Sequence, residues 1–348
     1  MGRITTERSR RSALKFGAAA AFAAVAGRAA LAIERASRVA AVEGGGSFVV
    51  CLGAPLDASD AGLIVARSAG LFERAGLDVE LRSLPSDAQA IAAVTAGFGK
   101  VGLVAAESFL RARAGGVAVT SFAAGLIESQ VRFYALAAAG IRTPLDLVGK
   151  RVAYAPGGES ATLYEAMLAR LAIPRSRLTE IEMDGGPAAL VDGVVDLAPL
   201  DEAGEWGLIE KGARYTTLNP ADFGVHMLGQ VYFASEASVR DDRDRLDGFL
   251  KSLIAGWERI YDDRVASATE IARTLGQTPE RVQASLDRLR QLLRPMAARY
   301  GEFEREQWRQ TEDLLMARQV LVAPLDLSAA VDFAFLREAY RHSGGVAR

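Results

Sequence analysis

The sequence predicts an α/β protein made of two successive sets of strands and helices. Three observations carry this. Apolar runs of strand length alternate with segments of helical spacing from residue 48 to residue 238. The alternation restarts at residue 131, which gives two sets. Beyond residue 242 the pattern is helical only, and a helix-only tail must pack on one of the sets.

Taken in order, a polar link GGGS (44–47) leads into FVVCLGAP (48–55), an apolar run of strand length. SDAGLIVARSAGLFERAG (59–76) has helical spacing and a glycine stop. LDVELRSL (77–84) alternates like a strand, and SDAQAIAAVTAG (86–97) is a capped helix. VGLVAA (101–106) is a short buried strand, ESFLRARAGG (107–116) a helix and VAVTSFAAG (117–125) a strand. This βαβα order predicts a parallel sheet with helices on both faces. VRFYALAA (131–138) opens the second set, and TPLDLVGK (143–150) is a short helical turn. RVAYAP precedes the helix in PGGESATLYEAML (156–168). LTEIEMD (178–184), PAALVDG (187–193) and VDLAPLDE (195–202) continue the alternation. GQVYFASEAS (229–238) reads as a strand. Residues 242 to about 318 are amphipathic helices, and DFAFLREAYRHSG (332–344) is a last one.

Half of the 348 residues are hydrophobic, enough for one large or two medium domains with real cores. The formal net charge of −2 implies no nucleic-acid partner. Two histidines, His226 and His342, and one cysteine, Cys51, argue against a His/Cys metal site and against a disulfide framework. No cofactor is implied. Cys51 lies inside a strand-like run and reads as a core residue. At the N-terminus, Ser9-Arg10-Arg11 precedes Leu14-Lys15, an Ala-rich apolar run and Ala30-Leu31-Ala32. A basic start, a short apolar middle and an A-x-A end describe an export signal over residues 1–32. The paired arginines resemble a twin-arginine signal, with Ala13 where phenylalanine is usual. Gly27 and Arg28 break the apolar run, which argues against a permanent span. The expectation is an exported protein without stable membrane insertion.

In an open parallel sheet, ligands bind outside the carboxyl ends of the strands. The residues after the predicted strands are therefore the candidate site: Asp57, Ser59 and Asp60; Glu107; Gly157, Gly158, Glu159, Ser160 and Thr162; Asp201 and Glu202. Each has a plainer reading, since Asp60 and Ser160 are also ordinary helix caps. Their convergence at one sheet edge favours a site. The two glycines let backbone approach a guest, and free N–H groups at a helix start attract anions. Ser160 and Thr162 add hydroxyls, whereas Glu159 repels an anion. GGESAT lacks the spacing and lysine of a nucleotide loop, so the expected guest is a small polar molecule rather than ATP.

Several stretches carry a resemblance. AGLFERAGLDVELRSLPSDAQAIAAVTAG, VGLVAAESFLRARAGGVAVTSFAA, TPLDLVGKRVAYAPGGES and GQVYFASEASVRDDRDRLDGFLKSLIAGWERIYDD follow one another in order. Together, over about residues 48–270, they resemble the periplasmic ABC-transporter substrate-binding proteins for nitrate, sulfonates, taurine and thiamine-pyrimidine precursors. The resemblance implies a type II periplasmic binding fold, with two lobes, each a mostly parallel sheet flanked by helices. Lobe 1 would span 48–125 and 235–340, with the C-terminal helices, and lobe 2 would span 126–234. Hinge crossovers would lie near 125–131 and 226–234, and the lobes would close on a ligand in the cleft. It also implies an ABC permease and ATPase as partners, a periplasmic location, a monomer and no catalysis.

The candidate edge is rich in carboxylates, which accept hydrogen bonds and suit amino-bearing guests. That favours a nitrogen heterocycle such as an aminopyrimidine thiamine precursor. The alternative is a sulfonate, taurine, nitrate or similar small anion. Trp206 and Tyr232 are candidates for stacking, or core residues. A pyrimidine synthase that resembles these binders uses a cysteine-rich motif, and this sequence has only Cys51.

Overall fold

The computed structural model describes residues 47–293 and 299–342. The expected export signal over 1–32 lies outside the described residues. Among the described residues the strands are β1 (Phe48–Leu52), β2 (Val79–Ser83), β3 (Val101–Ala105), β4 (Val119–Ala124), β5 (Arg132–Leu136), β6 (Arg151–Tyr154), β7 (Thr179–Glu182), β8 (Ala198–Leu200), β9 (Tyr215–Leu218) and β10 (Gln230–Ser235). Among helices of eight residues or more, the part before residue 242 holds α1 (Ala61–Ser68), α2 (Asp87–Thr95), α3 (Ala106–Ala114), α4 (Glu159–Arg170) and α5 (Glu202–Glu210). The tail holds α6 (Arg243–Asp262), α7 (Arg264–Leu275), α8 (Pro279–Leu293), α9 (Arg305–Ala317) and α10 (Phe335–His342).

The first lobe is a sheet of order β2-β1-β3-β10-β4. β1 runs parallel to β2 and β3, and β10 is antiparallel to both of its neighbours. β1 is buried along its whole length, which is why FVVCL is apolar throughout rather than alternating. In the second lobe, β6 and β7 pair in parallel and β8-β5-β9 pair antiparallel. A parallel bridge between Val152 and Leu197 joins the two pieces, with Ala153 N–H donating to Leu197 O at 2.9 Å. The joined order is β7-β6-β8-β5-β9. Each lobe thus has one antiparallel strand, arriving from the other lobe, inserted before its last strand. The mostly parallel expectation holds with that amendment.

The chain crosses between lobes twice, over 125–131 and over 219–229. The crossovers bond to each other, Ser129 N–H donating to Met227 O at 2.8 Å and Gly229 N–H to Leu126 O at 3.2 Å. A Cβ on Gly229 would lie 2.5 Å from Glu128 O, so this close approach needs glycine.

The helical tail packs on the first lobe. Phe249, Leu250, Leu253 and Trp257 of α6 share a core with Phe48, Val50 and Leu63. α9 reaches the opposite face, where Trp308 meets Phe109 edge-on at 5.6 Å. One local expectation changes, one unassigned stretch is filled and one open alternative is decided. The segment 59–76 is not one helix, because Gly70 adopts a φ of +66° and separates α1 from a turn at Leu71–Arg74. α5 and β9 fill residues 203–228, which the alternation did not assign. Tyr232 is a core residue, 1% exposed.

Candidate functional site: the cleft between the lobes

The carboxyl end of β1, the first crossover and the openings of α4 and α5 face one cavity of about 600 Å³. Lobe 1 contributes Asp57 and the tail helix α8, through Ser285, Arg288 and Leu289. Lobe 2 contributes Arg132 and Tyr134 of β5, Glu159 and Ser160 of α4, the Asp184–Pro187 turn, and Asp201 to Glu205 around the start of α5. α5 begins where it does because the Asp201 carboxylate accepts Gly204 N–H at 2.7 Å. α4 begins just after Gly158, whose φ of +104° a side chain would resist.

The expected residues divide in two. Asp57, Glu159, Ser160, Asp201 and Glu202 line the cavity. Ser59 and Asp60 lie beneath it, buried, and Asp60 accepts the Asp57 N–H at 3.1 Å. Asp57 rather than Asp60 therefore caps this turn. Ser160 is the second residue of α4 and makes no capping bond. Gly157 and Gly158 form an exposed turn outside the lining, and Thr162 is buried in the helix, 4% exposed. Glu107 is 1% exposed and ion-paired with Arg111.

The electrostatics of the cavity depend on which carboxylates are already matched. Glu205 is bonded twice, to Arg288 at 2.7 Å and to the Tyr215 hydroxyl at 2.9 Å. Glu202 accepts the Ser285 hydroxyl and lies 3.9 Å from Arg288. These contacts join α5 of lobe 2 to α8 of the tail. Trp206 lies in the same join, with the Arg281 and Arg288 guanidiniums over its ring at 5.0 and 6.0 Å. It is thus engaged by arginines rather than free to stack on a guest.

Asp57 of lobe 1 and Asp201 of lobe 2 both line the cavity. Burial raises the Asp57 pKa, against the Ser59 N–H and hydroxyl bonds that oppose the shift, and Asp201 adds to the rise. Burial likewise pushes Glu159 up to about 7, with Glu107 and Asp87 adding and Ser129 and Arg132 opposing. Arg132 donates to the carbonyls of Ser129 and Val131, at 2.9 Å each, through one nitrogen, Nη1. Among the described residues no carboxylate lies within 4.0 Å of it, and burial lowers its pKa. The rest of its guanidinium fork is available to the cavity.

Sequence reading missed Arg132, Tyr134, the Asp184–Pro187 turn and the α8 residues. Arg132 had a signal, since it opens the strand after the expected crossover. Arg288 had none, since it lies in a tail helix whose docking against lobe 2 is a tertiary event. Chemically, the cavity offers acceptors at Asp57, Asp201 and Glu159 and the remaining guanidinium donors of Arg132.

No protein with curated annotation is detectably similar in sequence. A family model described as "NMT1/THI5 like" matches residues 57–266. The periplasmic aliphatic sulphonate binding protein SsuA from Escherichia coli has a TM-score of 0.67 at 17% identity, covering 84% of this chain and 100% of that one. The alkanesulfonate-binding protein SsuA from Xanthomonas axonopodis pv. citri, bound to MOPS, has a TM-score of 0.63 at 20% identity, covering 82% and 98%. The desulfurization enzyme DSZB has a TM-score of 0.58 at 14% identity, covering 85% and 99%. At these identities the likeness is one of fold, and the fold serves both binders and an enzyme. The family match runs from the turn after β1 into α7, and the chain belongs to the NMT1/THI5-like family, with the two-lobed type II periplasmic binding protein fold.

Proposed function

We propose that this protein is the solute-binding component of an ABC importer and captures a small, nitrogen-bearing polar molecule between its lobes. The observation that carries the ligand class is the surplus of acceptors in the cavity. Once Arg288 is matched to Glu205 and Glu202, Asp57, Glu159 and Asp201 remain for hydrogen-bond donors on a guest. An aminopyrimidine-like thiamine precursor presents such donors. A specific observation supports a second reading: the free edge of Arg132 suits a sulfonate, nitrate or carboxylate group. The reading includes no turnover. Cys51 is buried and its thiol is pushed up to about 12 by burial, which suits a core residue rather than a nucleophile.

The same reading places the protein in the periplasm, exported through residues 1–32 by a twin-arginine signal. It acts as a monomer that hands its ligand to a permease and an ATPase. Residues 48–125 with 235–340 form one moving lobe, and 126–234 the other. A thermal-shift panel tests the ligand class, holding aminopyrimidine precursors, thiamine, taurine, alkyl sulfonates and nitrate. Bound solute stabilises in proportion to the logarithm of its concentration over Kd. A rise with aminopyrimidines alone supports the first reading. A rise with sulfonates or nitrate alone replaces it with the second, and no rise removes both.

A further inference from the structure

We propose that the tail helix α8 is a latch: it stays fixed to lobe 1, grips α5 of lobe 2, and so holds the protein closed without any guest. α8 carries two stripes. Val282, Leu286, Leu289 and Leu293 recur at helical spacing and are buried in the core of lobe 1. α7 pins the helix there, with Arg264 donating to Gln283 O at 3.1 Å and pairing with Asp287. The other stripe is Arg281, Ser285 and Arg288, four and three residues apart. It meets a matching stripe on α5. Arg288 pairs with Glu205 at 2.7 Å, the Ser285 hydroxyl donates to Glu202, and Arg281 lies 4.0 Å from Glu210. Trp206 sits between the two arginines, beneath both guanidiniums. Near its end, α8 also meets the hinge, where Leu292 O accepts Ile127 N–H at 2.8 Å.

The two attachments differ in kind. Leaving lobe 1 would bare the apolar stripe, which water opposes. Leaving lobe 2 bares charges, a hydroxyl and one indole, most of which water rehydrates. When the lobes part, the break therefore falls between α5 and α8, and α8 travels with lobe 1. The closed seam also carries a counterweight. Trp206 Nε1 and Arg281 Nε are buried in it without hydrogen-bond partners, and opening returns both donors to water. Ion pairs between half-exposed groups are individually weak, so the grip exceeds this counterweight by little, and the latch can release. Every group in the grip belongs to the protein, so closure does not wait for a guest to bridge the lobes. The seam also forms part of the cavity wall, through Glu202 and Glu205 on one side and Ser285 and Arg288 on the other.

The test reads closure in protein refolded from denaturant to strip any carried solute, so it stands or fails apart from the ligand class. Leu145→Cys in lobe 2 and Val265→Cys on α7 are exposed, 63% and 67%, and accept a donor–acceptor dye pair, while Cys51 stays buried. At low ionic strength, energy transfer should report mainly the closed distance. Salt at about 1 M, where charges are screened within ~3 Å, should part the lobes. Arg288→Glu sets like charges against each other and should lower the closed-to-open ratio about tenfold at low salt. Adding Glu205→Arg to that variant restores the pair with its signs exchanged and should recover the closed distance. A wild-type protein that is open at low salt overturns the proposal. So does a distance that neither salt nor Arg288→Glu changes, or a charge exchange that fails to close the lobes again.

Discussion

The crossing of α1 and α6 gives a sharp test of how lobe 1 is held together. Gly62 and Gly256 meet there. A Cβ on Gly62 would lie 2.1 Å from Trp257 Nε1 and 2.3 Å from its Cδ1, and a Cβ on Gly256 would lie 2.4 Å from Gly62 O. The indole has nowhere to retreat. It is 1% exposed and lies against Tyr300, with ring centroids 5.1 Å apart. Gly62→Ala gains roughly 1 kcal/mol of helix propensity. Against this stands overpacking, typically ~1–3 kcal/mol and here at the upper end because the obstacle is a rigid ring. The expected result is a net loss of about 2 kcal/mol. Urea titration should show a lower midpoint with an unchanged slope. In a Trp257→Leu background the same substitution should cost less by at least ~0.5 kcal/mol, since the two residues touch. A Gly62→Ala protein as stable as the wild type, or more so, would refute the reasoning.

Other consequences concern the cleft. Arg288→Ala should loosen the join between α5 and α8 by about 0.5–1 kcal/mol, discounted because the arginine is 40% exposed, and should raise the radius of gyration in small-angle scattering. Arg132→Ala should abolish binding of any guest held through an acid group and spare one held through amino groups, as read by calorimetry with the solute the thermal panel selects. Ser160→Ala should weaken that binding while leaving the urea midpoint within ~0.5 kcal/mol of wild type. Thr162→Ala should do the reverse, costing about 1 kcal/mol of stability with affinity unchanged, because its side chain is buried in the helix. Stability itself should fall as pH rises through 7, since Glu159 titrates higher in the folded chain than in the unfolded one. Glu159→Gln should flatten that slope in chemical denaturation at pH 6 and 8.5.

Much of the fold was legible because it rests on local patterns. Period-2 and apolar runs marked the parallel strands, and Ser86 and Asp201 cap helices as their residue types suggest. Gly256 and Trp257, adjacent in the last of the stretches that carry the resemblance, have a physical role here, where Gly256 admits the backbone of α1 and Trp257 covers Gly62. Legibility failed where long-range pairing overrides local signal. β9 is a half-buried edge strand, YTTL, whose pattern is too weak to announce itself. Gly70 broke a helix that the apolar spacing ran straight through.

For the site, the sequence alone determined that acidic and hydroxyl residues follow the strands, and that little else with reactive chemistry exists in the chain. Strand ends are local facts, and a parallel sheet places them on one edge. Only the tertiary structure decided which of those residues face the cleft. Asp57, Glu159, Ser160, Asp201 and Glu202 do, while Thr162 and Glu107 turn inward. It also brought α8 against α5, so that Arg288 neutralises Glu205, and set Arg132 with a free edge in the cavity. The reason is geometric. Helix phase and lobe packing fix where a side chain points, and those depend on contacts between residues far apart in the chain, which no local pattern records.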